Sequence, residues 1–230
     1  MRTATAWRLC ALAGLATLVA SMAFGRIAGL TPCGPSGGAG AILALELART
    51  PDAVAALFGS EPCTARLLAA QQSALWLDSF AFIPAYTAFL ALAAWAMRGA
   101  DRQLALATLS VFVIAGLSDE IESILLFRIL DTLPGAPDLF GPLFAAVRTK
   151  FALLGLGELL LAFLLLRHGW LARIAAVPVA AGGVIATWLL FADPHLPLMM
   201  KAHSYAWAAL LLIAIVAAVR PSLVAPRNPA

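Results

Sequence analysis

Hydrophobic positions in this chain fall in long blocks rather than in alternating or amphipathic patterns. Six blocks stand out: residues 9–25, 79–97, 103–127, 151–166, 174–192 and 204–219. About 20 apolar residues are needed to cross ~30 Å of hydrocarbon as a helix, so the shorter blocks need a few flanking residues. The pattern predicts an all-α fold, a polytopic membrane helix bundle of six transmembrane helices, with the chain forming a single membrane domain, residues 1–230. One long connection, residues 26–73, is inserted between the first two spans, and it is too apolar for a free linker. Thr50-Pro51-Asp52 supplies an N-cap followed by Pro at the first helical position, which predicts a short helix through Phe58. Ser60-Glu61-Pro62 opens another towards the second span, and residues 42–47 predict a short helix lying on the membrane surface. Together these make a small helical cap.

Composition agrees with the pattern. The chain is 63% hydrophobic and 12% charged, with a mean hydropathy of +0.94; a soluble domain carries about twice that charge. The formal net charge of +3 reports topology rather than a partner, and no basic patch with interleaved aromatics points to nucleic acid. The first block has a second reading. Arg2 and Arg8 precede it, and Ser21-Met22-Ala23 resembles a small-x-small cleavage site, as in a secretory signal peptide. No GxxxxGK[ST], HExxH or CxxC motif is present. The run CGPSGGAG, residues 33–40, lacks the lysine and helix signal of a phosphate loop and reads as a flexible loop.

Lys and Arg in short loops mark the cytoplasmic side. With six spans, one side holds Arg2, Arg8, Arg98, Arg102, Arg167, Arg173, Arg220 and Arg227, with Asp101 as its one acid. The other mixes Arg26, Arg49, Arg66, Arg128, Arg148, Lys150 and Lys201 with Glu46, Asp52, Glu61, Asp131, Asp138 and Asp193. Both termini are expected in the cytoplasm and the cap outside. Cys33 and Cys63 both fall in the cap, where an oxidising compartment allows a disulfide; Cys10, in the first span, reads as an apolar filler. Trp76, Trp170 and Trp207 lie near span ends, as an aromatic belt expects.

The chemistry lies in the stretch AGLSDEIESILLF, residues 115–127. At 100° per residue, Asp119 and Glu122 are 60° apart, with Ala115, Gly116, Ser118 and Ser123 on the same side and Leu117, Ile121 and Ile124 turned away. The acids should face the bundle interior, with Glu120 at the edge of that face. Isolated charges there are costly, so Lys150, Arg148 or Arg128 should pair them, or protons should neutralise them. Asp78, Arg148, Lys150, Glu158 and His203 gather towards the same outer half, and the inner half is almost purely apolar. His195 reads as a loop residue and His168 as one of the inner basic group.

LDSFAFIPAY (residues 77–86), AGLSDEIES (115–123) and KFALLGLGELL (150–161) resemble a group of bacterial membrane proteins. That group carries an Asp-x-x-Phe span start, a Gly-x-x-Asp-x-x-Glu-Asn span and a Lys-Phe or Lys-Trp span start. The stretch LELARTPDAVAALFG, residues 45–59, is similar too. The resemblance covers residues 45 to about 166. It implies a bacterial inner membrane location and makes Asp78, Asp119, Glu122 and Lys150 the signature positions. Ser123 stands where the group usually has Asn. The group has no established activity, so the resemblance names no function.

Three functions fit these residues. An inward acidic pair open to the outside suits binding of a small cationic, protonatable or lipidic ligand, without the polar inner track or inverted repeat of a transporter. Alternatively, Asp119 and Glu122 act as acid and base on a lipid or isoprenoid, with Lys150 or Arg148 holding a phosphate or oxyanion. Thirdly, the charges form a structural network in an accessory subunit, and Gly155-x-Gly157 and Ala180-Ala181-Gly182-Gly183 pack on a partner, on a second copy in a homo-oligomer, or equally within the chain itself. No motif calls for a cofactor. Three His in separate segments make a poor metal signature, and no Ser or Cys stands beside an obvious base.

Overall fold

The six apolar blocks form six long helices, and several of their ends fall at proline or glycine, while one opens on the Asp101 carboxylate, which accepts from the Leu104 N–H. The computed structural model describes residues 3–225; Arg2 and Arg227, both assigned above to the inner side, lie outside the described residues. In chain order the helices are α1 (Thr3–Phe24), α2 (Gly40–Glu46), α3 (Pro51–Phe58), α4 (Cys63–Leu77), α5 (Ile83–Ala96), α6 (Arg102–Asp131), α7 (Phe140–Leu166), α8 (Trp170–Ala192) and α9 (Leu198–Val219). Six rods among them are long and apolar enough to cross a membrane, the second being Cys63–Ala96.

Several rods start well before the apolar blocks do. The second begins just after Pro62 rather than at Ser79, α7 begins at Phe140 rather than Phe151, and α9 just after Pro197. A charged side chain costs a helix only tenths of a kcal/mol, whereas proline removes a donor and clashes with the preceding turn. Asp78 and Lys150 therefore lie inside continuous helices, not at their mouths. At 1.5 Å per residue the 34-residue second rod is about 50 Å long, so it projects beyond the hydrocarbon. It carries one π-helical turn, Asp78–Phe82, in which the Ile83 N–H donates to the Asp78 carbonyl. Pro84 follows at once. It has no N–H to close the next ordinary turn, and the wider turn absorbs that loss.

The rods close into a ring. α1 packs on α5, α5 on α6, α6 on α7, α7 on α8, α8 on α9, and α9 returns to α1. α1 is a full member: Trp7 and Cys10 are buried, and Gly14 meets Phe89 of α5 and Leu211 of α9. Glycines set the tightest crossings. A Cβ on Gly183 of α8 would meet the Gly155 carbonyl of α7 at 2.7 Å, one on Gly182 would meet Ala206 of α9 at 2.6 Å, and one on Gly157 would meet Phe112 of α6 at 2.4 Å. These are the small-residue faces that the sequence left open to a partner or to packing within the chain. The chain uses them for its own packing.

The cap covers the end of the ring opposite the N-terminus. Thr50 accepts from the Ala53 N–H at 3.2 Å and opens α3 as its sequence predicts. Cys33 and Cys63 are disulfide-bonded, with Cα atoms 5.9 Å apart, and the Cys33 N–H donates to the Leu57 carbonyl. Gly37 has φ +61° and rests against His195 of the α8–α9 connection. α2 is not a surface helix: Ala41, Leu43, Leu45 and Glu46 are buried. It lies over α4, α6 and α7 and is pinned by the Gln71 amide, which donates to the Ala41 carbonyl at 2.7 Å.

Candidate functional site

α6 places its residues as the 100° rotation predicts. Ala115, Gly116, Ser118, Asp119, Glu122 and Ser123 are buried, whereas Leu117, Ile121 and Ile124 are each more than half exposed. Glu120 lies at the boundary. Gly116 lets α5 come close, because a Cβ there would strike Thr87 at 2.3 Å.

The inward acids converge on Lys150 of α7. Its Nζ lies 2.7 Å from Glu122, 3.1 Å from Asp119 and 3.1 Å from Glu46. The ammonium also sits 4.5 Å from the centroid of the adjacent Phe151 ring. The Tyr86 hydroxyl of α5 donates to the second Asp119 oxygen at 2.7 Å. Asp78, in the π-helical turn, is partly buried and lies in electrostatic range of Asp119, Lys150 and Glu46. It makes no ion pair within 4 Å among the described residues.

A second polar group lies two turns further along α7. One Glu158 oxygen is 2.7 Å from His203 Nδ1 and accepts from the Trp207 indole N–H at 2.7 Å. The other Glu158 oxygen and His203 Nε2 are buried without a partner among the described residues. Aromatic rings separate the two groups: His203 stacks on Phe151 and Trp207 stacks on Tyr86.

The expected site residues thus divide. Asp119, Glu122 and Lys150 are in direct contact, Glu158 and His203 form their own pair, and Asp78 stands beside the first group. Arg148 and Arg128 do not join them. The Arg148 guanidinium donates to the Leu190 carbonyl at the end of α8, and Arg128 is exposed. Glu46 is the member that sequence reasoning missed, because it was counted as an outer-loop charge. The signal lay in its place within residues 45–59, the cap stretch that carries the resemblance. Tyr86 was missed because an aromatic block shows no polar pattern, and Trp207, expected in the aromatic belt, instead donates its indole N–H to buried Glu158. In the resemblance itself, Ala81 stands at the Phe position of Asp-x-x-Phe, and the rings of that turn are Phe80 and Phe82.

The cluster is closed rather than open to the outside. The Glu46, Asp119, Glu122 and Lys150 side chains are at most 9% exposed. Two surface grooves run elsewhere, one between α7 and α8 along Leu159 and Phe163, one around Arg128 and Asp131. α2 is the roof, and it supplies Glu46 to the cluster. Lys150 stands where the acids would otherwise hold a free cation, and no three His, Cys, Asp or Glu among the described residues are placed to hold a metal ion. Residues Gly34-Pro35-Ser36-Gly37-Gly38 match the letters G-x-S-x-G, a match the flexible-loop reading of this run passed over, and Gly37 and Gly38 lie beside His195. A nucleophile elbow needs a strand leading into it. Here the run is loop, and Ser36 makes no hydrogen bond to His195 among the described residues. Comparison of the chain with protein-family models, curated proteins and solved structures finds no match.

Proposed function

We propose that this is a multi-pass protein of the bacterial inner membrane whose acid-rich cluster binds a small cationic or protonatable ligand, lipidic or free, drawn from the cap side. One observation carries the reading: three buried carboxylates meet a single ammonium within 3.1 Å. With all four groups ionised the cluster holds two more negative charges than positive. In a low-dielectric interior that excess is relieved by bound protons or by a further cation. Glu46 is the one member carried by the cap, so lifting α2 both opens the site and withdraws an acid from Lys150. The arginine-rich terminal side, with Arg8, Arg98, Arg102, Arg167, Arg173 and Arg220, supports cytoplasmic termini. The disulfide in the cap supports an oxidising outer side.

The test is thermal unfolding of the detergent-purified protein with methylammonium, choline or spermidine. A ligand present at 100 times its Kd stabilises the folded state by about 2.7 kcal/mol. At least one amine should raise the Tm, and Asp119→Asn should abolish that rise while the protein stays folded. If none of the amines shifts the Tm between acidic and alkaline pH, the reading fails.

The closed geometry favours a second reading, in which the network only locks cap to bundle. On that reading Glu46→Gln lowers the Tm and loosens the cap, and no amine has any effect.

A further inference from the structure

Two arginines outside the cluster meet at one aromatic ring. Arg49 lies between α2 and α3, and its guanidinium carbon is 3.4 Å from the centroid of Phe144. Arg148, one turn along α7 from Phe144, is 5.2 Å from the same centroid and 5.3 Å from that of Phe191. No carboxylate oxygen lies within 4 Å of either guanidinium among the described residues, whereas Arg167 on the opposite end is paired with Asp101. Arg148 places one N–H on the Leu190 carbonyl. Arg49 is exposed and makes no hydrogen bond to another described residue, so most of the ten N–H donors of the pair have no protein partner.

Two cations in mutual electrostatic range repel each other. A ring face attracts a cation but carries no net charge to neutralise two of them. Their surroundings point to the missing charge. Phe144 and Phe191 are 36% and 68% exposed on the apolar perimeter, at the end of the bundle where the cap begins. In a six-span bundle with the cap outside, the span ends on that side approach the outer headgroups. Guanidinium forks match phosphate oxygens two at a time, and anionic membrane surfaces attract arginines that lie near them.

We infer that Arg49 and Arg148 form a seat for a phosphate-bearing anion, either the phosphodiester headgroup of an anionic lipid or free phosphate, with its oxygens shared between the two forks. Arg49 follows Glu46 by three residues. An occupied seat therefore holds the α2–α3 connection against α7, above the buried cluster.

The experiment compares the full-length protein in phosphatidylcholine nanodiscs and in nanodiscs containing phosphatidylglycerol. Thermal unfolding is measured, and native mass spectrometry counts retained phosphatidylglycerol. Inorganic phosphate titrated into detergent-purified protein forms a parallel arm. Phosphatidylglycerol should raise the Tm and remain bound. Arg49→Gln and Arg148→Gln should each weaken its retention roughly ten- to a hundredfold, the scale of a hydrogen bond to a charged group. Arg26→Gln, a loop arginine on the same side, should leave it unchanged. Arg148→Lys keeps the charge but not the fork and should retain less lipid than the unaltered protein. If phosphate alone reproduces the shift, the seat takes the free anion; if only the lipid does, it takes the headgroup. Equal stability with and without either anion, or an equal loss from Arg26→Gln, overturns the seat.

Discussion

Lys150 illustrates how far single residues could be read. That it needed acids, and that Asp119 and Glu122 faced inward, followed from helical rotation and the cost of an unpaired charge. That Glu46 completes the set did not follow, because Glu46 comes from the cap, 104 residues away. His168 shows the reverse case. By sequence it looked like one more inner basic residue, yet it is buried and its Nδ1 lies 2.8 Å from the Leu164 carbonyl. Burial pushes its imidazole below the ordinary 6.5 despite the carbonyl, which favours the charged ring. The folded protein therefore holds His168 neutral, while the unfolded chain protonates it near pH 6.5. Its contribution to stability is complete above that pH and is lost as pH falls towards the lowered folded value. Thermal unfolding followed from pH 8 down to 5 should show a steeper loss of Tm in the unaltered protein than in His168→Gln. Parallel curves would remove His168 as a source of the pH dependence.

At the scale of elements, α6 was legible almost residue by residue, because a helix between lipid and protein sorts small and polar residues from large apolar ones. Helix ends were read less well, since apolar blocks stop at charges and helices do not. α8 carries the clearest energetic claim. Gly182 and Gly183 let it approach α9 and α7 together, and a Cβ on Gly183 would meet both the Gly155 carbonyl at 2.7 Å and Glu158 Cβ at 3.1 Å. Backbone cannot yield as a side-chain tip can. Gly183→Ala should therefore destabilise the bundle by about 1–3 kcal/mol, as overpacking does. Gly141→Ala, where nothing lies within 4 Å of the added methyl, should be neutral or gain up to about 1 kcal/mol from helix propensity. Chemical or thermal unfolding of both variants checks the pair, and similar effects would mean that the α7–α8 crossing tolerates a methyl.

The whole molecule is a ring of six rods with a roof tied down at its edge. The disulfide closes a loop of separation 30, which on a chain-entropy estimate contributes about 3–4 kcal/mol to the order of the cap. With the cap outside, a membrane-impermeant maleimide added to intact cells after reduction should label Cys33 and Cys63 and leave buried Cys10 unmodified. Labelling only after cell lysis would reverse the proposed topology. Cys33→Ser should make residues 26–62 more sensitive to protease while the spans stay protected.

Span number, the inward face of α6, the Thr50 cap of α3 and the glycines able to form close crossings were determined by sequence alone. Each depends on neighbours within a turn or two, or on the length of an apolar run against a fixed bilayer thickness. Ring closure, the roof made by α2, the choice of Glu46 over Arg148 as a member of the cluster, and the separation of Glu158 and His203 into a second group were decided only in three dimensions. Those outcomes turn on which distant side chains can satisfy a buried charge at hydrogen-bond distance, and no local pattern encodes that distance.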